Sequence, residues 1–229
     1  MRPLKAYINL SALTFNLQLV KKIAKNSKVM AVLKANAYGH GLEESVKAIK
    51  SADGIAILTI DEAIKIRKAG FENTILLLEG LFAGEDIYEA EKLNLNLVLH
   101  NDLQIEYLKQ GTLKTPINVH LKINTGMNRL GFPPDQVDYL IENLNANPNV
   151  SGITLMTHFA TADEKEGIEK QLNCFNQVTN NYNLSSSVAN SAALCKFPEA
   201  RLDWVRPGIM LYGASPLKIF QQRNWMSSL

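Results

Sequence analysis

Short apolar runs alternate with amphipathic segments along most of this chain. The clearest run, Val29-Met-Ala-Val-Leu33, has five consecutive apolar residues and predicts a strand that is buried on both faces. Eight further segments predict shorter or weaker strands: 6–10, 55–58, 74–78, 95–99, 117–123, 150–157, 186–189 and 202–205. The segments between them carry apolar residues three or four positions apart, a spacing that is typical of helices packed on one side.

Several residues mark where these helices begin and end. Ser11 is the predicted N-cap of a first helix that runs to about residue 26. Thr59 and Glu62 have the spacing of a capping box, and Gly70 is placed to end the helix that follows. The other predicted helices cover 42–49, 84–93, 101–111, 135–144 and 164–180.

The repeated strand–helix units continue from residue 28 to about residue 213 without a linker or a shift in composition. Such repetition predicts a parallel sheet, and eight units fit a closed (β/α)8 TIM barrel, an α/β fold. A doubly wound open sheet is the structural alternative. We expect residues 1–27 to form an N-terminal strand and helix packed on the barrel, residues 28–217 to form the barrel, and residues 218–229 to form a tail.

Composition excludes some classes of function. The chain has 229 residues, of which 46% are hydrophobic and 20% charged, and its formal net charge is +2. This small charge gives no reason to expect nucleic acid or a membrane as a partner, and no apolar run approaches the roughly 20 residues of a membrane span. The start lacks a secretory pattern, and Cys174 and Cys195 are too few for a disulfide framework. We therefore expect a cytoplasmic protein with reduced cysteines.

Polar residues that could act on a ligand follow several predicted strands. In a barrel the carboxyl ends of all strands meet at one face, which is where active sites lie. The residues near these ends are Lys34, Lys122, His158, Ser191 and Arg206. Each has an ordinary explanation on its own: a lysine whose amine reaches water, a histidine satisfied in the core, a serine that caps a helix, an arginine in an ion pair. Their occurrence at successive strand ends predicts one shared site.

Four segments resemble motifs of the alanine racemases, which are barrel enzymes that use pyridoxal phosphate. They are Lys34-Ala-Asn-Ala-Tyr-Gly-His-Gly41, Lys122-Ile-Asn-Thr-Gly-Met-Asn-Arg-Leu-Gly131, Thr157-His-Phe-Ala160, and Trp204-Val-Arg-Pro-Gly-Ile209 with Leu211-Tyr-Gly213. The first is a match of eight consecutive residues, and the resemblance extends from about residue 5 to residue 217. It implies pyridoxal phosphate as cofactor, alanine as substrate, a homodimer, and a supply of D-alanine for the cell wall.

The resemblance also implies a role for individual residues. Lys34 corresponds to the lysine that forms a Schiff base with the cofactor and serves as one catalytic base. Arg129 corresponds to a residue that contacts the cofactor's phenolic oxygen and the substrate carboxylate. Lys122 matches a position that is carbamylated in many relatives, where the added carboxylate orients that arginine. Asn124 departs from the aspartate that is frequent at its position.

Residues near the first and last strands are candidates for binding the phosphate and the pyridine ring of the cofactor. Loops after strands seven and eight build phosphate sites in such barrels. The candidates for binding the cofactor phosphate are Ser191, Gly208, Ile209 and Tyr38, which lies one helical turn beyond Lys34. Arg206 keeps its proton, so if it faces the pyridine nitrogen the ring stays a weak electron sink, which favours racemisation over transamination. His158 is predicted to hold Arg206 in place.

Alanine racemases have a second, β-rich domain after the barrel, which brings a tyrosine base to the partner subunit's active site and a methionine to the substrate. Residues 218–229 show no such domain, so we expect a barrel cut short, with weak racemase activity. The first alternative function is a non-catalytic, single-domain barrel that binds pyridoxal phosphate for cofactor homeostasis. A metal-dependent barrel hydrolase is the second, although the histidines are scattered and lack metal-ligand spacing.

Overall fold

Eight parallel strands close into one barrel in the computed structural model, which describes residues 5–217 and 226–228. Each strand pairs with the next along the chain, and β8 pairs with β1 through Lys28 with Trp204 and Val29 with Val205. The strands are β1 Lys28–Val32, β2 Gly54–Ile57, β3 Thr74–Leu77, β4 Leu95–Leu99, β5 Ile117–Lys122, β6 Val150–Met156, β7 Ser185–Ser187 and β8 Trp204–Val205. The closed order confirms the predicted TIM barrel, and the open-sheet alternative is wrong.

Helices follow most of the strands and cover the outside of the barrel. Those in the described part of the chain are α1 Leu10–Ala24, α2 Lys34–Tyr38, α3 Leu42–Ala48, α4 Ile60–Lys68, α5 Asp86–Lys92, α6 Asp102–Gln110, α7 Val137–Asn145, α8 Glu169–Thr179 and α9 Ser191–Lys196. Short 3₁₀ turns cover Pro134–Gln136, Pro198–Ala200 and Ile209–Tyr212. Within the same described ranges, no helix has the length and apolar character needed to cross a membrane.

Two layers of buried apolar side chains fill the fold. The larger layer lies between strands and helices and includes Leu17 of α1, Ile55 of β2 and Phe175 of α8. The smaller layer fills the inside of the barrel, and its members are Met30, Val32, Ala56, Leu76, Val98 and Met156, with Leu78 and Trp204 packed against them. Because side chains fill the interior, a ligand can bind only at an end of the barrel.

The N-terminal segment differs from the prediction. Residues 5–9 have no regular structure, and Leu10 is already the first residue of α1, so the predicted strand at 6–10 is wrong. Asn9, and not Ser11, caps α1, because its side-chain oxygen accepts a hydrogen bond from Ala12 N at 3.1 Å. Ser11 lies inside the first turn, past the position from which a side chain can cap a helix.

Most other boundaries agree with the prediction within a few residues. β4 has the predicted ends, and α6 is capped by Asn101 and followed by Gly111 as expected. α8 is the largest exception, since it begins at Glu169 rather than near residue 164. Gly167 has a φ of 63°, which interrupts any helix that starts before it.

The predicted capping box of α4 forms only in part. Thr59 Oγ1 accepts a hydrogen bond from Glu62 N at 3.2 Å, as the pattern requires. The Glu62 carboxylate, however, accepts a hydrogen bond from Leu58 N at 3.0 Å instead of from Thr59 N. Glu62 therefore binds the residue after β2 rather than closing the helix cap.

Most of the predicted tail at 218–229 lies outside the described residues. Residues 226–228 are described, and they contact α1: Asn16 Nδ2 donates to Met226 O at 2.8 Å, and Met226 N donates to Asn16 Oδ1 at 3.0 Å. Asn16 Nδ2 also donates to Leu211 O at 2.9 Å. One buried asparagine thus joins α1, the segment after β8 and residues 226–228.

Candidate active site

A cavity of about 610 Å³ opens at the carboxyl ends of the strands. Every residue that the sequence predicts for the site lines it: Lys34, Tyr38, Lys122, Arg129, His158, Ser191, Arg206, Gly208 and Ile209. These residues are far apart in the sequence and meet because parallel strands end at the same face of the barrel. Their common location agrees with the prediction of one shared site, while their individual roles stay predictions.

The segment that carries Lys34 and Tyr38 is a left-handed helical turn, α2. Ala35, Asn36 and Ala37 have φ values of 54–55° and ψ values of 47–55°, and Tyr38 has a φ of 52°. The turn expected between Lys34 and Tyr38 is therefore of the opposite hand to an ordinary helix. A left-handed helical conformation costs roughly 1–2 kcal/mol for each residue with a side chain, so other contacts must stabilise α2.

Arg206 is buried, with 4% of its surface exposed, and hydrogen bonds fix its guanidinium. Nη1 donates to Ser187 Oγ at 2.7 Å, and Nη2 donates to the carbonyl oxygens of Thr157 at 2.6 Å and Val188 at 3.4 Å. The hydrogen-bond partners described for Arg206 are the Ser187 hydroxyl and the two carbonyl oxygens, and His158 is not among them, so the role predicted for His158 gains no support. Burial lowers the pKa of Arg206 to about 10, so it stays a cation at neutral pH.

Positive charge accumulates in the cavity. Burial, followed by the charges of Arg206 and Arg129, lowers the pKa of Lys122 to about 8, whereas Glu79 opposes this shift. Burial also lowers the pKa of His158 to about 3, with nearby cations adding to the effect, so its ring is neutral at neutral pH. The cations that line the cavity are Lys34, Lys122, Arg129 and Arg206. The cavity therefore favours an anionic ligand.

One wall of the cavity has the donors of an anion site. Gly208 N donates to Ser191 Oγ at 2.8 Å, so the serine can still donate its own hydrogen to a ligand. A Cβ on Gly208 would lie 2.7 Å from Tyr38 Oη, so a side chain there would push the Tyr38 hydroxyl away from this wall. Asn190 caps α9 by accepting a hydrogen bond from Ala193 N at 2.9 Å, which removes the helix cap as an explanation for Ser191.

Asn124 organises the loop that leads to Arg129. Its Oδ1 accepts hydrogen bonds from Gly126 N at 3.1 Å and Asn128 N at 3.0 Å, and its Nδ2 donates to Asn128 Oδ1 at 3.0 Å. An aspartate could accept the first two hydrogen bonds but could not donate the third. The departure from aspartate therefore adds a contact within this loop.

Two acidic residues that the sequence pattern did not single out, Glu79 and Asp163, also line the cavity. Glu79 follows β3 closely, so the rule that selected Lys34 at the end of a strand would also have found it. Asp163 lies in the irregular segment between β6 and α8 and carries no such signal. In the described ranges, no group of three or more His, Cys, Asp or Glu residues could hold a metal ion, so the hydrolase hypothesis gains no support.

Proteins similar to this chain along nearly its whole length are known. Residues 8–216 match the family described as alanine racemase, N-terminal domain. The chain belongs to the alanine racemase family. It is 48% identical over 219 residues to an alanine racemase of Nitrosospira multiformis and 46% identical over 215 residues to one of Burkholderia mallei. Each match covers 94% of this chain.

The chain spans about 60% of the length of these racemases, with 61% of the Nitrosospira protein and 60% of the Burkholderia protein matched. A crystal structure of the biosynthetic alanine racemase from Pseudomonas aeruginosa superposes with a TM-score of 0.93 at 41% identity, covering 98% of this chain and 63% of that one. The alanine racemase of Acinetobacter baumannii gives a TM-score of 0.88 at 37% identity, covering 95% and 66%. The racemase barrel is therefore shared over nearly all of this chain.

Proposed function

We propose that this member of the alanine racemase family binds pyridoxal phosphate and interconverts L-alanine and D-alanine. The observation that carries the proposal is one shared cavity, in which Lys34 at the end of β1 lies with the Ser191–Gly208 pair and buried Arg206. The relatives named above are alanine racemases, which supports the choice of reaction and substrate. A homodimer, as in the alanine racemase family, and a supply of D-alanine for the cell wall belong to the same proposal.

The residues present fit the phosphate of this cofactor. The hydroxyls of Ser191 and Tyr38 and the backbone N–H of Ile209 can donate to it around Gly208, whose missing side chain leaves the backbone open to close approach. The cationic side chains of the cavity suit a doubly charged anion. We assign the phosphate to this wall of the cavity and the covalent attachment of the cofactor to Lys34.

When bound, pyridoxal phosphate draws electrons from the α-carbon of an attached amino acid and so makes its α-proton removable. Lys34 is the proposed base on one face of that carbon: its amine takes the proton from one enantiomer, and its ammonium supplies a proton to the same face when the other enantiomer reacts. The opposite face is left to the base that the resemblance assigns to a second domain. Arg206 is the proposed partner of the pyridine nitrogen, to which it donates a hydrogen bond while keeping its proton, since its pKa is about 10. Arg206 thereby keeps the electron sink weak, which favours proton exchange over transamination.

We assign the substrate carboxylate and the cofactor's phenolic oxygen to Arg129, and we propose that Lys122 is carbamylated. Only a neutral amine reacts with carbon dioxide, and a pKa of about 8 leaves about one-tenth of Lys122 neutral at pH 7. In this step a bond forms between Nζ and the carbon of carbon dioxide, and Nζ releases one proton. The product is a carboxylate near Arg129, which could orient that guanidinium.

Cofactor trapping tests the assignment of Lys34. The purified chain mixed with pyridoxal phosphate should gain a visible absorption band, and borohydride should fix the cofactor on the peptide that contains Lys34. Lys34→Ala should lose this label, whereas the matched control Lys28→Ala, an exposed lysine at the other end of β1, should keep it. Label on a different lysine of the unmodified chain would overturn the assignment.

Alanine turnover tests the reaction itself. A coupled assay should detect D-alanine formed from L-alanine when the protein is saturated with cofactor, and Lys34→Ala should abolish its formation. A chain that carries the label on Lys34 but neither inverts alanine nor exchanges its α-hydrogen would instead support the non-catalytic cofactor-binding barrel.

A further inference from the structure

Glu62 supports the left-handed turn α2 from outside. In a left-handed turn the side chains crowd the backbone, so this conformation persists only where surrounding contacts determine it. Glu62 Oε1 accepts a hydrogen bond from Asn36 N at 3.3 Å, and Glu62 Oε2 accepts one from Leu58 N at 3.0 Å. One carboxylate therefore connects the turn after β1 to the residue after β2.

Asn36 adds contacts from within the turn. Its side-chain oxygen accepts a hydrogen bond from Leu42 N at 2.9 Å, at the start of α3. Its carbonyl oxygen accepts hydrogen bonds from Gly39 N and Gly41 N, both at 3.1 Å. Because Asn36 is bound on both its N–H and its oxygens, its position fixes the path of the chain between β1 and α3.

His40 supports the other side of the turn. Its Nδ1 lies 3.2 Å from the carbonyl oxygens of both Ala37 and Tyr38, and Nδ1 must carry the hydrogen because carbonyl oxygens only accept. Its Nε2 lies 2.8 Å from Ser228 Oγ. The ring is buried and lies 4.7 Å from the ring of Tyr212. His40 therefore connects the carbonyl groups of α2 to the segment after β8 and to residues 226–228.

Tyr212 extends this support to the side chain of Tyr38. The two tyrosine rings lie 4.9 Å apart, and the Tyr212 hydroxyl donates to Val32 O, the last residue of β1, at 3.1 Å. A Cβ on Gly208 would lie 2.7 Å from Tyr38 Oη, so this hydroxyl is close to the backbone of residue 208. A turn of the opposite hand would direct the Tyr38 side chain elsewhere. Neither Glu62 nor His40 is among the residues that line the cavity.

We propose that Glu62 and His40 are positioning residues that hold the left-handed turn, and with it the Tyr38 hydroxyl, in place for the phosphate of the cofactor. The identity of this ligand rests on the proposed function, whereas the turn and its contacts are features of the described chain. Both residues act through α2 and not through contact with the ligand. Their loss should therefore weaken cofactor binding although every group that touches the phosphate is still present.

Two pairs of variants and one control test the proposal in the full chain. Glu62→Ala and His40→Ala remove the contacts with the turn. Glu62→Gln keeps an oxygen that can accept the hydrogen bond from Asn36 N. His40→Asn keeps an N–H group that can donate to the carbonyl oxygens of the turn. The control is Asn149→Ala, since buried Asn149 donates to Leu108 O and Gly111 O, both at 2.7 Å, at the opposite end of the barrel.

The first readout is the dissociation constant for pyridoxal phosphate, from absorbance titration, together with the midpoint of thermal unfolding without cofactor. We expect affinity to fall about tenfold in Glu62→Ala and in His40→Ala, the effect of one lost hydrogen bond of typical strength, and less in Glu62→Gln and His40→Asn. Asn149→Ala should unfold at a lower temperature and keep the original affinity. Unchanged affinity in both alanine variants, or an equal loss in the control, would overturn the positioning roles.

A second readout needs no cofactor and separates this proposal from the proposed function. Protein labelled with 3-fluorotyrosine gives a ¹⁹F NMR signal for Tyr38, which Tyr38→Phe identifies. This signal should move in Glu62→Ala and His40→Ala and stay unchanged in Asn149→Ala. An unmoved signal overturns the positioning roles even if the cofactor binds. If the signal moves but the chain binds no pyridoxal phosphate, the proposed function is refuted. The conclusion that Glu62 and His40 set the position of the Tyr38 side chain is then kept.

Discussion

Lys122 is a cationic side chain that lies buried beside two other cations. Burial, then the charges of Arg206 and Arg129, lowers its pKa from 10.5 to about 8. A shift of this size means that the folded protein disfavours the charged amine relative to the neutral amine by a free energy of roughly 3 kcal/mol. Lys122 therefore destabilises the folded state at neutral pH, which is more typical of a functional residue than of one retained for stability.

Lys122→Met should raise the free energy of unfolding at pH 7 by roughly 1–3 kcal/mol, because it removes a buried cation. The pKa of Lys122 is lower in the folded state than in the unfolded state, so the unfolded state binds more protons between pH 8 and pH 10.5. The unmodified protein therefore gains stability as the pH rises through this window, and the advantage of the methionine variant should shrink. Urea unfolding at several pH values, in buffer freed of carbon dioxide, measures the difference.

The exposed residue Lys28 provides the control for this experiment. Lys28 Nζ lies 5.3 Å from the centre of the Trp204 ring, so Lys28→Met loses a cation–π contact and should lower the free energy of unfolding at pH 7 by about 1 kcal/mol or less. An advantage of Lys122→Met that is the same at pH 7 and at pH 10.5 would contradict the lowered pKa of Lys122 and would assign the gain to packing alone.

Among the elements, α2 is poorly explained by its own sequence. Alanine is the strongest former of right-handed helices, and no glycine lies among residues 35–38. The left-handed conformation depends instead on contacts that are distant in the sequence, such as the hydrogen bond between Asn36 N and Glu62, 26 residues away. A local pattern could predict a turn after Lys34, but it could not predict the hand of that turn.

Ala35→Gly should raise the free energy of unfolding by roughly 0.5–1 kcal/mol. Ala35 is exposed and has a φ of 54°, so glycine removes a steric cost of about 1–2 kcal/mol and loses little packing, while its greater freedom in the unfolded chain costs about 0.5–1 kcal/mol. Ala48→Gly, in the right-handed helix α3, is the control and should lower the free energy of unfolding. Urea unfolding measures both, and a loss of similar size in the two variants would count against a strained α2.

The start of α1 shows why helix caps are hard to predict by sequence alone. Asparagine and serine are both good N-caps, and this chain has one of each within three residues, Asn9 and Ser11. Which of the two residues caps α1 depends on where the backbone changes from extended to helical. Asn9 N donates to Ser228 O at 2.8 Å, a contact that no local pattern reveals.

Asn9→Ala should lower the free energy of unfolding by about 1 kcal/mol, because Ala12 N would lose its side-chain acceptor. Ser11→Ala should have a clearly smaller effect, since Ser11 lies past the cap position. Thermal and urea unfolding of the two variants measures the difference. A larger loss for Ser11→Ala would show that the helix begins where the sequence pattern first predicted.

For the whole molecule, the sequence predicted the barrel because an unbroken series of strands and helices has few ways to bury its apolar faces. The residues of the site could be predicted by the same reasoning, since parallel strands carry their last residues to one face. The contacts among these residues could not be predicted. Arg206 binds Ser187 and two carbonyl oxygens instead of His158, and Asp163 reaches the cavity from an irregular segment. Such contacts depend on distances that a linear pattern does not contain.

The proposed chemistry also makes a prediction for a polypeptide of residues 1–229 on its own. Lys34 can serve one face of the α-carbon, and the resemblance to alanine racemases assigns the base of the other face to a second domain in a partner subunit. Loaded with pyridoxal phosphate in D₂O, this polypeptide should therefore exchange the α-hydrogen of one alanine enantiomer. Inversion should be about 10²- to 10⁴-fold slower than in a full-length relative, the usual cost of a missing acid–base group.

Proton NMR measures the exchange of each enantiomer, and a coupled assay measures inversion beside a full-length relative such as the Pseudomonas aeruginosa enzyme. Lys34→Ala should abolish exchange, because the base on the accessible face is gone, and Lys28→Ala should leave it unchanged. Equal exchange of both enantiomers, with inversion close to that of the full-length relative, would mean that residues 1–229 contain the second base. Glu79 and Asp163, the acidic residues lining the cavity, would then be the first candidates for that role.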